Sequence, residues 1–292
     1  MSSTSSGLCF SSLSRDYESA PKLKEFKARD GEKLSYRFYD SLNKNTVVIL
    51  LHGSSAHGEY LHPLAERLKA VGQVYVPNLR GHYGSGSVRG DCSYIGQLED
   101  DFSDLVNHGS SLNKKIYVVG HSSGGGLAIR LAGGPYGKLI RGFVLLSPAI
   151  PTAPTMRQGT AGGWASVSLG KIIFLSILNF LGIRFFNHMK VIRFNRPLEY
   201  CDGTETISYS FNLNTSYHPR LPYEKDVAAL KHRSVVMIGS EDEANDPLEY
   251  KKVMQDAQCA SIQIIDGVKH LDIVQNRATC DAVLGWIKKN NQ

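Results

Sequence analysis

Short apolar runs alternate with longer amphipathic segments over much of this chain. The runs have the length and β-branched content of buried strands, and the segments between them have helical spacing. We predict strands at 34–39, 46–51, 73–77, 116–119, 141–146, 234–238 and 261–265, and helices at 61–70, 98–112, 127–132 and 281–289. This alternation is typical of an α/β fold, with a mostly parallel sheet and helices on both faces.

The alternation stops between residues 151 and 224. This segment contains Pro, Gly and aromatic residues but few clear strands, and it has the size of an extra subdomain. We call it the insertion. The predicted organisation is a disordered Ser-rich leader at 1–23, a core formed by 24–150 and 225–292, and the insertion at 151–224 between the two parts of the core.

The insertion contains a nearly continuous apolar stretch at 172–183, flanked by Lys171 and Arg184. Twelve residues are too few to cross a bilayer. Two interpretations stay open. The stretch is either a helix buried in the core, or a lid whose apolar face covers an acyl-chain pocket or contacts a membrane.

Composition narrows the class of protein. The chain has 292 residues, of which 42% are hydrophobic and 21% charged, as in a soluble globular protein. The net charge of +6 comes from scattered Lys and Arg, so we expect no nucleic-acid partner, although anionic lipid head groups would suit a mildly basic surface. We expect no signal peptide and no transmembrane helix, and a location in the cytoplasm or at the periphery of a membrane.

The cysteines indicate neither a zinc site nor a disulfide framework. There are five, widely spaced and without a C-x-x-C pair: Cys9, Cys92, Cys201, Cys259 and Cys280. We interpret them as free thiols in a reducing compartment, with a Cys259–Cys280 bridge as the open alternative. No metal is expected.

The most informative motif is Gly-His-Ser-Ser-Gly at 120–124, between a predicted strand and a predicted helix. In that setting a sharp turn exposes a serine hydroxyl above the sheet, and flanking glycines allow the strained backbone and close packing. Ser122 is therefore the candidate nucleophile. The competing interpretation is a tight strand-to-helix turn with an incidental serine.

A serine nucleophile needs a base, and the base needs an orienting acid. In α/β sheets these partners follow the carboxyl ends of later strands. His270 follows the strand at 261–265 and is the candidate base. The loop after 234–238 carries Asp242, the preferred acid, with Glu241 and Asp246 as rivals.

A tetrahedral oxyanion would need preorganised donors. The backbone N–H of Ser123, at the start of the helix, is one candidate, and the N–H of Ser54, in the loop after 46–51, is the other. We expect His52, His82 and His121, which lie near the same rim, to shape the site.

Together these motifs resemble the α/β-hydrolases of the monoacylglycerol lipase and lysophospholipase type. The matching segments cover the two parts of the core and follow the family's order of nucleophile, acid and base: His-Gly at 52–53, Arg-Gly-His at 80–82, Gly-His-Ser-Ser-Gly-Gly at 120–125, Gly-Ser-Glu-Asp at 239–242 and Gly-Val-Lys-His at 267–270. In that family the region between the sixth strand and the acid is a lid over the acyl pocket. Two departures are Asn78, where many relatives have Asp, and Tyr83, which separates Gly81-His82 from Gly84.

The resemblance implies a cofactor-independent serine hydrolase that cleaves the ester of a single-chain lipid, either a lysophospholipid or a monoacylglycerol, through an acyl-enzyme. Acyl transfer to another acceptor and general carboxylesterase activity remain alternatives, because the same acyl-enzyme serves all three. A non-catalytic lipid-binding protein is a further alternative, but such proteins usually lose a member of the triad. A nucleophilic serine argues against haloalkane or epoxide hydrolysis. The resemblance implies that enzymes of this fold with those activities use Asp, in place of Ser, at the nucleophile position.

Overall fold

A computed structural model describes residues 7–11, 17–109, 112–157, 164–255 and 261–291. Its larger sheet has eight strands: β1 Lys24–Lys27, β2 Lys33–Tyr39, β3 Thr46–Leu51, β4 Gln73–Pro77, β5 Lys115–His121, β6 Ile140–Leu146, β10 Ser234–Gly239 and β11 Ser261–Ile265. Their spatial order is β1-β2-β4-β3-β5-β6-β10-β11, and every pair from β4 to β11 is parallel. The pairs β1–β2 and β2–β4 are antiparallel.

Helices cover both faces of this sheet: α1 His62–Leu68, α2 Gln97–His108, α3 Ser123–Gly133, α6 Tyr223–Ala228, α7 Glu249–Gln255 and α8 Arg277–Asn290. Strand β3 shows why both faces need a cover. Val47, Ile49 and Leu51 belong to a cluster that includes α2 and α3, whereas Val48 and Leu50 belong to one that includes α1 and α8. Because successive side chains point to opposite faces, an entirely apolar strand has to be buried on both. The predicted mostly parallel sheet with helices on both faces is confirmed.

The strand order reverses beside β3. The chain passes from β3 to β4 on one side and then returns to β5 on the other. The loops after β3 and β5 therefore diverge and leave a crevice at the carboxyl ends of these strands, where ligands bind in open α/β sheets. The loops after β10 and β11 end at the same edge.

The insertion has its own small antiparallel sheet, which the sequence pattern did not predict. Its elements are β7 Ala165–Val167, α4 Leu169–Phe180, β8 Lys190–Phe194, β9 Ser208–Ser210 and α5 Phe211–Ser216, with the sheet order β7-β8-β9. These strands have three, five and three residues, and only some of their side chains are buried. Strands this short carry too little alternation to be recognised from sequence.

Helix α4 contradicts the interpretation of residues 172–183 as a buried core helix. Leu175 is its only buried side chain, and large apolar side chains around it are exposed, among them Ile173, Phe174, Ile177 and Phe180. The apolar side chains of α4 therefore form part of the exposed surface of the insertion. In the ranges given above, no helix has both the length and the apolar composition needed to cross a membrane.

The structure also differs from the sequence prediction in where two helices begin or end. The helix predicted over 98–112 ends at His108, and the closing helix predicted from residue 281 begins at Arg277. The side chain of Asn276 caps the closing helix by accepting a hydrogen bond from the backbone N–H of Thr279 at 3.1 Å. An Asn cap of this kind is a sequence signal that the periodicity alone does not reveal.

Residues 7–11 form a segment that we call the N-terminal strap. The prediction of a disordered leader is wrong for this segment, because Phe10 is only 5% exposed and contacts the aromatic rings of Trp164 and Tyr200. The thiols of Cys9, Cys92, Cys201 and Cys280 are free. Cys259, and with it the alternative of a bridge to Cys280, lies outside the described residues.

Candidate active site

Ser122 lies at the sharp turn between β5 and α3. Its backbone has φ 53° and ψ −121°, a positive-φ conformation that a non-glycine residue rarely adopts. The turn is held by hydrogen bonds from the N–H of Ser122 to the carbonyl of Leu146 (2.9 Å) and from the N–H of Ala149 to the carbonyl of Ser122 (2.9 Å). Strain held in place by surrounding bonds is common at functional sites.

The glycines of this motif are required by close packing. A Cβ atom on Gly120 would lie 2.3 Å from the carbonyl oxygen of Gly124, and one on Gly124 would lie 2.2 Å from that of Leu51. Both distances are far below van der Waals contact. Without these side chains, α3 approaches β3 and β5 closely enough to place its first turn beside the Ser122 hydroxyl.

His270 and Asp242 reach this hydroxyl from the loops after β11 and β10. The Nε2 atom of His270 lies 3.0 Å from Oγ of Ser122, and its Nδ1 atom lies 2.9 Å from Oδ2 of Asp242. Asp242 and His270 are each 2% exposed. The three predicted side chains therefore form a continuous hydrogen-bonded series.

The carboxylate of Asp242 is also fixed by its own loop. Its Oδ1 atom accepts hydrogen bonds from the backbone N–H groups of Ala244 (2.9 Å) and Asn245 (2.8 Å). The rival Glu241 is exposed, and Asp246 bonds the backbone N–H of Leu248 at 3.0 Å. Of the candidate acids, Asp242 faces the imidazole.

Charges in this buried series reinforce one another. Burial disfavours the imidazolium of His270, but the charge and hydrogen bond of Asp242 outweigh it and raise the pKa of His270 above its ordinary value. Burial likewise acts to raise the pKa of Asp242, but His270, with the Ser147 side chain and the N–H of Asn245, outweighs it and lowers that pKa. Asp242 is therefore an anion that keeps the Nδ1 proton on His270 and leaves Nε2 to accept a proton from Ser122.

Glu243 is a site residue that the sequence reasoning did not single out. Its Oε2 atom accepts a hydrogen bond from the backbone N–H of His270 at 2.9 Å. The carboxylate thus fixes the main chain of the residue whose side chain Asp242 orients. Nothing in the run Glu-Asp-Glu at 241–243 distinguishes this role, because it depends on how the loop folds.

The residues of the two predicted oxyanion donors, Ser54 and Ser123, lie close to each other at the cavity beside Ser122. Ser54 and Ser123 line the same cavity as Ser122, and their hydroxyl oxygens are 2.5 Å apart. Ser123 is the first residue of α3, and the first N–H groups of a helix have no partner within it. In the loop after β3, the N–H of Gly53 is already bonded to the Tyr60 hydroxyl at 2.7 Å.

The three rim histidines are buried and uncharged. Burial, with neighbouring His270, lowers the pKa of His121 to about 3, and burial lowers the pKa of His82 to about 4 and that of His52 well below its usual range. His52 accepts a hydrogen bond at Nε2 from the N–H of Leu79 (3.0 Å), and His82 bonds the Tyr209 hydroxyl at 2.7 Å. These side chains connect the loops around the crevice.

The two departures from the family pattern contact each other. The Nδ2 atom of Asn78 donates to the carbonyl of Tyr83 at 2.7 Å, and its Oδ1 atom accepts from the N–H of Gly58 at 2.8 Å. An ionised Asp could make only the second bond. Asn78 therefore suits the particular loop that includes Tyr83.

A cavity of about 330 Å³ opens beside Ser122, and its walls come from the core, the insertion and the strap. The insertion contributes mainly apolar side chains: Trp164, Ala165, Val167, Ile192 and Phe194. In the residues that the structure describes, no group of three or more His, Cys, Asp or Glu side chains could hold a metal ion. The arrangement is an apolar pocket with a few convergent polar groups, as in small-molecule sites.

Comparison with known proteins identifies the family to which this fold belongs. A family model described as the alpha/beta hydrolase family matches residues 48–282. The chain belongs to the alpha/beta hydrolase family.

The individual solved structures that resemble this chain have low sequence identity to it. A soluble variant of the monoglyceride lipase from Saccharomyces cerevisiae, crystallised with a substrate analogue, has a TM-score of 0.70 and 17% identity over 95% of this chain and 98% of that one. The monoacylglycerol lipase of Paleococcus ferrophilus has a TM-score of 0.64 and 18% identity over 88% and 99% of the two chains. At these identities the likeness shows the shared fold.

A sequence relative with higher local identity covers less of the chain. The magnesium-chelatase 30 kDa subunit of Rhodobacter capsulatus is 36% identical over 87 residues. The match spans 30% of this chain and only 30% of that protein.

Proposed function

We propose that this protein is a serine hydrolase that cleaves carboxylic esters of single-chain lipids, such as monoacylglycerols or lysophospholipids. The observation that carries the proposal is the series from Ser122 Oγ to His270 Nε2 (3.0 Å) and from His270 Nδ1 to Asp242 Oδ2 (2.9 Å), at the mouth of an apolar cavity. A serine–imidazole–carboxylate series supplies the nucleophile, the base and the orienting anion for acyl transfer.

In the proposed reaction, Oγ of Ser122 attacks the ester carbonyl carbon while Nε2 of His270 takes the hydroxyl proton. The developing oxyanion is stabilised by the backbone N–H groups of Ser54 and Ser123. The carbon–oxygen bond to the alcohol then breaks, and His270 returns the proton to the leaving oxygen. Water attacks the acyl-enzyme by the same route, releasing the fatty acid and restoring Ser122.

The acyl chain would occupy the cavity lined by Val167, Ile192 and Phe194. These side chains offer dispersion contacts but no hydrogen bonds, so they favour a hydrocarbon over a polar acyl group. The sequence interpretation of the insertion as a lid over an acyl pocket fits this wall.

The experiment is a panel of a monoacylglycerol, lysophosphatidylcholine and a short-chain ester, each tested with the wild type and with Ser122→Ala. The expected result is preference for the long-chain esters and loss of hydrolysis in the variant, with unchanged circular dichroism. Retained activity in Ser122→Ala contradicts the assignment of the nucleophile, and a strong preference for short esters contradicts the lipid substrate. A competing alcohol in the assay separates hydrolysis from acyl transfer, because a transferase forms a new ester.

We also propose that the insertion contacts a membrane surface. Exposed apolar side chains cluster on and after α4, with Phe180 at 90% and Phe185 at 83% exposure. Lys171 and Arg184 are exposed beside them and would suit anionic head groups. An apolar surface with flanking basic residues is typical of proteins that lie at a membrane interface.

Flotation with vesicles of phosphatidylcholine and phosphatidylserine tests this contact. The double variant Phe180→Asp with Phe185→Asp is expected to stay with the unbound fraction, whereas the control Leu42→Asp, at a fully exposed position of the core, floats like the wild type. Equal flotation of all three proteins contradicts the proposal. Hydrolysis of a water-soluble ester should be the same in all of them.

A further inference from the structure

The N-terminal strap forms part of the wall beside Ser122. Leu8 lines the 330 Å³ cavity together with Ser122, Trp164 and His270. It also lines a second cavity, of about 20 Å³, on the side of Gly53 and Tyr60. Leu8 therefore lies where the large cavity and the small one meet, and the space next to the nucleophile is strongly unequal on its two sides.

Phe10 anchors the strap to the insertion. Its ring centroid lies 5.2 Å from that of Trp164 and 5.7 Å from that of Tyr200, and the guanidinium of Arg196 lies 5.6 Å from it. Only 5% of Phe10 is exposed. Burial of a Phe side chain among aromatic rings and a cation stabilises such a contact.

A second anchor fixes the strap to the catalytic loop. The backbone N–H of Cys9 donates to Oε1 of Glu243 at 3.2 Å, and Oε2 of the same carboxylate accepts from the N–H of His270 at 2.9 Å. One carboxylate thus accepts hydrogen bonds from the main chain of both the strap and His270. The strap is held from the insertion on one side and from the core on the other, with Leu8 next to these anchors.

We infer that the N-terminal strap is a specificity-determining wall, which limits the catalytic cavity to one acyl chain. This inference rests on the proposed function. An ester with a single chain places it in the large cavity, whereas a second chain would have to pass the Leu8 side chain into a space of about 20 Å³. Diacyl esters are excluded by this wall, and monoacyl esters are accepted.

The test compares a short-chain monoacylglycerol with the matching diacylglycerol, both below the concentration at which they aggregate. Leu8→Ala and Phe10→Ala are each expected to raise the ratio of kcat/KM for the diacyl ester to that for the monoacyl ester by about tenfold or more. The control is Leu42→Ala, because the Leu42 side chain is fully exposed on the surface of the α/β core, and this variant should leave the ratio within about twofold. Folded strap variants with an unchanged ratio contradict the inference.

A second readout does not depend on turnover. The chain has two tryptophans, so Trp286→Phe leaves Trp164 as the only tryptophan, which can be excited selectively over the tyrosines. In that background, Phe10→Ala is expected to increase quenching of Trp164 by acrylamide, because the ring that covers the indole is removed, and Phe10→Tyr should restore the protection. Unchanged quenching means that the strap does not occupy this position and overturns the inference.

The two proposals fail in different ways. A wild type that hydrolyses neither ester contradicts the proposed function and, with it, the role of the strap. A wild type that hydrolyses the monoacyl ester, with strap variants that leave the ratio unchanged, contradicts the strap alone.

Discussion

His121 donates a hydrogen bond from Nε2 to the backbone carbonyl of His270, across 3.0 Å. Its Nδ1 atom accepts from the hydroxyl of Tyr60 at 2.7 Å, and that oxygen accepts from the N–H of Gly53 at 2.7 Å. A neutral imidazole with its proton on Nε2 satisfies every bond in this series, which agrees with the low pKa of His121. The loop that carries Ser54 is thereby connected to the main chain of the proposed base.

Removing this connection should disturb catalysis through geometry. In His121→Phe the carbonyl of His270 loses its buried partner, so the free energy of unfolding is expected to fall by about 1–3 kcal/mol. We expect kcat to fall by about tenfold or more with a smaller change in KM, because the displaced groups act in the transition state. Denaturant unfolding and steady-state kinetics measure both effects. An unchanged kcat would show that the series plays no part in positioning His270.

Of the three acids that the sequence offered as partners of His270, Asp242 should be the one whose charge matters for the reaction. Asp242→Asn is expected to lower kcat by about 10⁴-fold, because an amide favours the wrong imidazole tautomer. The exposed Glu241 gives a matched control, and Glu241→Gln should stay within about twofold of the wild type. Steady-state kinetics on one soluble ester suffice. If Glu241→Gln shows the larger loss, the acid has been assigned to the wrong residue.

The pH dependence follows from the direction of the His270 pKa. His270 has to be neutral to accept a proton, and Asp242 raises its pKa above the ordinary value of about 6.5. Activity should therefore rise with pH through a midpoint above about 6.5 and be lost below it. In Asp242→Asn the opposing effect of burial dominates, so the midpoint of the residual activity should move to lower pH. A midpoint that does not move would mean that Asp242 does not set the charge of His270.

Gly124 should not tolerate a side chain. A Cβ atom would lie 2.2 Å from the carbonyl oxygen of Leu51, so Gly124→Ala is expected to lower the free energy of unfolding by about 1–3 kcal/mol or to prevent folding. Gly285 in α8 is the matched control, since a Cβ there meets no atom within 4 Å. Gly285→Ala should raise stability by about 0.5–1 kcal/mol. Thermal unfolding compares the two, and equal tolerance would contradict the close packing of α3.

The core of the fold is predictable from sequence because its strands are buried on both faces. The all-apolar strand β3 and the strand before Ser122 admit few other interpretations, and the catalytic candidates follow from the rule that loops at one sheet edge meet. The parts that the sequence did not predict depend on contacts between distant segments. The sequence of helix α4 is apolar, and that composition alone does not tell whether the helix is buried or exposed. The residues around Phe10 and Glu243 in the sequence do not indicate which distant groups these two side chains contact.

The central claim is that Ser122 carries the acyl group during turnover. The most direct measurement is mass spectrometry of the protein quenched in acid during the first turnover of a slowly hydrolysed ester, followed by digestion and assignment of the modified peptide. The account predicts an added acyl mass on Ser122 that is absent in Ser122→Ala. Turnover with the acyl mass on another residue would contradict it.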